Sequence, residues 1–267
     1  MTDQQPLVTT HLQQGVFTIT LNRAEKKNSI TQAMYHLIRE AMQQANSDPQ
    51  ARVILVRGDG GVFTAGNDVG DFSKASSENN EGENKVSDSP ATQLMKVWIS
   101  VEKPIVAEVA GFAVGIGATC LLHCDLVLAA RSCRFRLPFT SLGLVPEFGS
   151  TFTLLQGAGK VKASHYLLTS ELFDTETAFD LGMVSRICAD EQLAEIAAET
   201  CRQLAALPPS SLRTTKKLLN DSAYQQAMLE VIDAEMVEFR RCQQSDEHRE
   251  AVNAFLEKRP ADFSRFS

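Results

Sequence analysis

The sequence predicts an α/β fold followed by a helical region. Three observations predict it. Short β-branched apolar runs alternate with segments of helical periodicity, glycine-rich turns sit at the ends of those runs, and beyond about Asp190 strand signals give way to long helical patterns. At 267 residues with 43% hydrophobic and 22% charged side chains, the chain can bury a sizeable core. The expected organisation is a core over 1–190 and a helical appendage over 191–267.

Val16 to Leu21 (VFTITL) alternates and reads as a strand, interrupted by the polar loop Asn22 to Asn28. From Thr31, a plausible cap, Met34, Leu37, Ile38, Ala41, Met42 and Ala45 recur at helical spacing. Val53 to Val56 is a short buried strand, closed by a turn at Gly58, Gly60 and Gly61 before Phe63. Between Ser73 and Pro90 almost no large apolar side chain occurs, so burial cannot offset the entropy of ordering; this predicts a surface loop. Two more short runs, Ile105 to Ala110 and Asp125 to Ala130, flank a glycine-rich turn and a helical stretch at Ala118 to Leu122. Pro208 and Pro209 stand where a helix start tolerates them, ahead of patterns through Leu218, Met228, Val231, Phe239, Val252 and Phe255.

Composition excludes several classes. Lys plus Arg number 26 against 33 Asp plus Glu, a net charge of −7 with scattered cations, which argues against nucleic-acid binding. No apolar run approaches the ~20 residues of a membrane span, the start lacks a signal-peptide pattern, and SRFS at the end is not a peroxisomal address; the expectation is a cytoplasmic protein. The cysteines Cys120, Cys124, Cys133, Cys188, Cys201 and Cys242 lack CxxC spacing and fit reduced thiols. His11, His36, His123, His165 and His248 show no paired ligand spacing, so no metal site is expected, and His123 reads as a core histidine.

Three stretches could carry chemistry. In FTAGNDVGDF, Ala65 and Gly66 allow a ligand close to the backbone, so the N–H of Asn67 could meet an incoming oxygen; a plain turn fits equally. In GFAVGIGATCLLHCD, Gly115-Ile116-Gly117 precedes a helical run whose first N–H groups lack internal partners, although glycine clusters also serve packing. It matches neither a dinucleotide fingerprint nor a P-loop, and no Gly-x-Ser-x-Gly elbow occurs. In PFTSLGLVPEFGS, Glu147 stands among Leu142, Leu144, Val145 and Phe152, where burial would raise its proton affinity toward that of a general base, while a solvated, inert loop glutamate is the alternative.

Together LNRAEKKNSI, FTAGNDV, GFAVGIGATCLLHCD and FLEKRPADF resemble the crotonase (enoyl-CoA hydratase/isomerase) superfamily over nearly the whole chain. The resemblance implies a spiral of ββα units with a C-terminal helical trimerisation region, assembling a homotrimer or a dimer of trimers. It implies an acyl-CoA thioester substrate whose carbonyl is held by the backbone N–H groups of Asn67 and Ile116 as it becomes an enolate. Coenzyme A is then part of the substrate, and no separate cofactor is expected. The positions matching the two hydratase glutamates are Thr119 and Phe139, and neither can activate water. Glu147 matches the single glutamate of the peroxisomal-type Δ3,Δ2-enoyl-CoA isomerases, which makes that activity the leading expectation. The alternatives are a hydratase or other crotonase-type lyase, and a non-catalytic acyl-CoA-binding protein. By resemblance the pantetheine and nucleotide end of the substrate lies along Ala65, Gly66, Asn67, Asp68 and Val69 and near Glu25 and Lys26, and Gly115, Thr119, Phe139 and Leu142 also bind substrate. Phe255 and Lys258 match positions from which the C-terminal helix reaches the acyl-CoA. Hydratases carry glycine where Ile116 stands, and a β-branched residue requires negative φ there.

Overall fold

A computed structural model describes residues 5–68, 70 and 89–266. Strand β1 (Val8–Gln13) turns back through Gln14 and Gly15, both at positive φ, onto β2 (Val16–Leu21) as an antiparallel hairpin. From β2 onward the pairing is parallel, through β3 (Val53–Gly58), β4 (Ile105–Val109), β6 (Leu126–Ala130) and β9 (Arg186–Cys188), giving a six-stranded sheet in the order β1-β2-β3-β4-β6-β9. A second sheet holds β5 (Phe112–Val114), β7 (Arg134–Arg136) and β8 (Leu172–Asp174) in the order β5-β7-β8.

The two sheets grow together. After β4 the chain crosses directly into β5, and after β6 into β7; after β3, Thr64 pairs with Ala113 beside β5. Each turn thus lays one strand on each sheet, the spiral of ββα units that the resemblance implies. Because both faces of the parallel strands are covered, β3 and β4 read as continuous apolar runs instead of alternating ones.

Helix α1 (Gln32–Ser47) starts where expected, with Thr31 Oγ1 accepting from the N–H of Met34, and it buries Met34, Tyr35, Ile38, Ala41, Met42 and Ala45. Leu37, expected on that face, is exposed. The polar stretch from 73 to 90 lies outside the described residues as far as 88. Its last two residues depart from the loop reading: Ser89 caps and Pro90 opens helix α2 (Pro90–Ser100), a combination that satisfies or dispenses with first-turn donors. This helix, packed on α1, was not legible in the pattern.

A four-residue helix α3 (Ile116–Thr119) follows β5, and α4 (Ser150–Ala158), α5 (Lys160–Thr169) and α6 (Thr175–Asp180) precede β9. Helix α7 (Leu193–Ala206) buries Leu193, Ala197 and Cys201 against β3, β4 and β6, so it closes one face of the large sheet. Helices α8 (Pro209–Leu219), α9 (Ser222–Gln243) and α10 (Asp246–Leu256) complete the chain. Pro209 stands in the first turn of α8, as the sequence predicts. All six cysteines are free, four of them buried and Cys124 and Cys242 partly so. No helix of the described residues is long and apolar enough to cross a membrane.

Candidate active site

The first stretch, 64–68, is tied to the loop before α1 residue by residue. Thr64 Oγ1 donates to the Asn28 carbonyl (2.7 Å), Ala65 N–H to that of Lys27 (2.9 Å), Ile30 N–H to that of Gly66 (2.8 Å) and Asp68 N–H to that of Ile30 (2.9 Å). Gly66 is obligatory here: its φ is +84°, and a Cβ would lie 2.6 Å from the Val114 carbonyl oxygen. That contact shows how closely the end of β5 passes. The backbone N–H of Asn67 donates to no described residue, while its side-chain Oδ1 accepts from the Tyr35 hydroxyl at 2.5 Å. The Asp68 carboxylate is engaged by Arg23 at 2.5 Å and by Ser29 and the Gly70 N–H; burial acts to raise its proton affinity, but these donors prevail and hold it below the usual range. It fixes the loop.

The second stretch supplies the facing wall. Gly115 takes the left-handed turn (φ +54°), which leaves Ile116 at negative φ as the first residue of α3. The steric demand placed on a β-branched residue is therefore met by its neighbour. As the first helical residue Ile116 has no intrahelical acceptor for its N–H, and it donates to no described residue. The Thr64–Ala113 bridge and the contact a Gly117 Cβ would make with Thr64, at 2.2 Å, bring this turn against the first stretch. Two unengaged N–H groups, of Asn67 and Ile116, thus belong to adjoining turns.

The third stretch places Glu147 at the far end of α3. Its side chain is buried, at 3% exposure, and Oε1 accepts from Thr119 Oγ1 at 2.6 Å. Thr119 is three residues beyond Ile116, so one turn of helix separates the carboxylate's anchor from the free N–H. Oε2 is buried and has no partner among the described residues. Burial pushes the carboxyl up to about 8; the Thr119 bond opposes this and the Glu235 carboxylate adds to it. Tyr35 and Cys120 line the same interior, and burial first, then the Glu147 charge, keeps the Tyr35 phenol protonated well beyond its usual range.

His123 is partly buried, stacked on the Phe148 ring at 4.4 Å, with Nε2 2.5 Å from the Phe148 carbonyl. Burial pushes it down to about 4, so it is a neutral donor to that carbonyl. Phe139 is buried, and Leu142, partly buried, accepts from His248 Nδ1 at 2.7 Å. Glu25 and Lys26 are exposed on a short 3₁₀ turn whose next residue, Lys27, is the carbonyl partner of Ala65. Val69 lies outside the described residues. Phe255 and Lys258 are exposed at the end of α10, and no hydrogen bond or ring contact joins them to Glu147. Among the described residues no three His, Cys, Asp or Glu side chains gather as metal ligands. Two residues of the site escape sequence reasoning. Tyr35 carries no signal beyond a helix position beside the apolar face, and Glu235 lies 88 positions from Glu147 on a helix that reads as amphipathic.

Among the described residues the site thus holds two backbone N–H groups without an acceptor and one buried carboxyl with an unpartnered oxygen. A model of the enoyl-CoA hydratase/isomerase family matches residues 11–265. The 1,2-epoxyphenylacetyl-CoA isomerase of Escherichia coli K12 is 33% identical, over 96% of this chain and 98% of that protein. Enoyl-CoA delta isomerase 2 of Rattus norvegicus is 31% identical over 92% of this chain, which spans 62% of the rat protein. A crystal structure from Acinetobacter baumannii, described as an enoyl-CoA hydratase/isomerase, superposes with a TM-score of 0.88 at 38% identity, covering 95% of this chain and all of that one.

Proposed function

The chain belongs to the enoyl-CoA hydratase/isomerase family and has the crotonase fold, and from that premise we propose that it is a Δ3,Δ2-enoyl-CoA isomerase. The observation that carries this reading is the free oxygen of Glu147: this buried carboxyl keeps Oε2 without a partner among the described residues, while Thr119 and Phe139 occupy the positions matching the two carboxylates that water addition needs.

Isomerisation needs one group. Glu147 Oε2 takes a proton from C2 of a 3-enoyl thioester, and the electron pair of the broken C–H bond passes into the carbonyl, leaving a dienolate. The N–H groups of Asn67 and Ile116 donate to the oxygen as charge builds on it. A preorganised donor at such a place is worth ~3–4 kcal/mol. The protonated carboxyl then returns the proton to C4, the double bond settles between C2 and C3, and the thioester carbonyl is restored. The raised proton affinity suits both halves, since the same group must accept and then release.

Similarity to the 1,2-epoxyphenylacetyl-CoA isomerase supports a second reading, an isomerase of that thioester. Incubation with 3-hexenoyl-CoA, crotonyl-CoA and 1,2-epoxyphenylacetyl-CoA separates the readings. Conversion of the first with little hydration of the second is expected, with Glu147→Gln reducing turnover by roughly 10²- to 10⁴-fold at nearly unchanged thioester affinity. Rapid crotonyl-CoA hydration, or full turnover by the variant, overturns the proposal.

A further inference from the structure

The residue after Glu147 is held in an unusual backbone. Phe148, fully buried, has φ +60°, and Gly149 follows at φ +67°, so two successive left-handed residues aim the Glu147 side chain inward before α4 begins. For a bulky residue that conformation persists only where the surroundings enforce it. On one side the enforcement is His123, whose ring stacks on Phe148 and whose Nε2 bonds the Phe148 carbonyl, with Trp98 edge-on at 6.3 Å.

On the other side it comes from α9. Met228, Ile232 and Glu235 are spaced by four and three residues and so share one face of that helix. Met228 and Ile232 close on Gly149, where a Cβ would meet Met228 Sδ at 2.2 Å. Glu235, 8% exposed, completes the grip with both oxygens. Oε2 accepts from the Gly149 N–H at 2.6 Å, and Oε1 from the N–H (2.9 Å) and hydroxyl (2.6 Å) of Thr151.

We propose that Glu235 is a positioning residue for Glu147, fixing the direction of its carboxyl from helix α9 through the Phe148–Gly149 turn. The inference rests on Glu147 being the base. It makes the C-terminal helical region part of the catalytic apparatus, because the N–H groups of Gly149 and Thr151 are satisfied by a side chain from that region and not by a local side-chain cap.

Charge provides the readout that a merely structural cap would not move. The Glu235 carboxylate is one of the influences raising the proton affinity of Glu147, after burial. Of the other titratable groups, Tyr35 from α1 and Cys120 from the turn after α3 feel the Glu147 charge, His123 bonds the carbonyl of Phe148, and Lys96 of α2 is paired with Asp233 of α9 at 2.6 Å. None of these changes when Glu235 is replaced by its amide.

The experiment compares Glu235→Gln, Glu235→Asp and Glu147→Gln for isomerisation of 3-hexenoyl-CoA across pH, and for exchange of the C2 protons of butyryl-CoA in heavy water. Glu235→Gln keeps the shape but turns an NH₂ toward Gly149 or Thr151. It is expected to lower kcat by roughly tenfold or more with KM little changed, and to move the rising limb of the pH profile to lower pH. Glu235→Asp keeps the charge and loses reach, so kcat falls while the limb stays in place. A folded Glu235→Gln with unchanged kcat and an unchanged pH limb overturns the proposal. Should that variant fail to fold, Thr151→Val removes one donor to the same carboxylate, and unchanged kcat in it overturns the proposal equally. Exchange abolished by Glu147→Gln but untouched by Glu235→Gln defeats only the role of Glu235, whereas exchange that survives Glu147→Gln defeats the reading beneath it.

Discussion

Thr119 Oγ1 donates to Glu147 Oε1 at 2.6 Å, across 28 residues of sequence and inside the core. Where a glutamate at 119 would crowd Glu147 with like charge, threonine offers a single short donor. The other carboxylate oxygen has no partner among the described residues.

Replacing that threonine should therefore weaken the base without removing it. In Thr119→Val neither oxygen of a buried carboxylate has a partner, which disfavours the ionised form. A hydrogen bond to a charged group is worth ~1.5–3 kcal/mol, so kcat/KM at neutral pH should fall roughly ten- to a hundredfold, and Thr119→Ser should restore it. Steady-state kinetics of the two variants check this, and a fully active Thr119→Val would show that the bond is dispensable.

The raised proton affinity of Glu147 has two pH signatures. As a base it acts ionised, so kcat/KM should climb as pH rises through about 8. Stability runs the other way. The carboxyl rises from its ordinary 4.5 on folding, so the folded state binds more protons than the unfolded one, and the associated stability, complete below 4.5, is lost as pH rises through about 8. Glu147→Gln lacks this loss, and its stability relative to the parent should increase between pH 5.5 and 8 in urea unfolding. A constant difference between the two proteins would contradict the assignment.

How much of this was legible in the sequence depends on what each residue answers to. The β3 and β4 runs, the Thr31 cap and the Pro209 start answer to local physics, and the structure has all of them. The turn at Gly66 was visible as small residues, whereas its φ of +84° is set by the close passage of the Val114 carbonyl and left no separate mark in the sequence. Strands β5, β7 and β8 are three residues each and leave too short a pattern to read. Helix α2 adjoins a polar stretch that masked its cap. Tyr35 and Glu235 enter the site only because packing brings α1 and α9 to it, and no local signal marks a helix position as facing a carboxylate 88 or more residues away.

The C-terminal region exposes several large apolar side chains. Leu218 and Leu219, at 76% and 73% exposure, end α8, and Phe255 and Leu256 end α10. A trimer, or a dimer of trimers, is the expected assembly in solution. Light scattering at micromolar concentration checks it: the parent should exceed the mass of one 29.3 kDa chain at least threefold, and Leu218→Asp with Leu219→Asp should reduce it. A monomeric parent would remove the expectation.

The last prediction separates backbone from side chain in the oxyanion site. If the N–H of Asn67 is the working group, its direction matters more than the identity of residue 67, and that direction is set by Gly66. In Gly66→Ala the new Cβ would stand 2.6 Å from the Val114 carbonyl oxygen at a φ of +84°, so the turn must shift. Strained backbone of this kind costs ~1–3 kcal/mol, enough to lower stability measurably, and the displaced N–H should lower kcat/KM by roughly tenfold to a thousandfold. Asn67→Ala keeps the N–H and loses only the bond from Tyr35, so its decline should be smaller. Measuring both variants for 3-hexenoyl-CoA turnover and for thermal stability distinguishes the outcomes. If Asn67→Ala is the more damaging of the two while Gly66→Ala turns over normally, the side chain and not the backbone carries the oxygen, and the Tyr35–Asn67 pair would take the place of the amide in the mechanism.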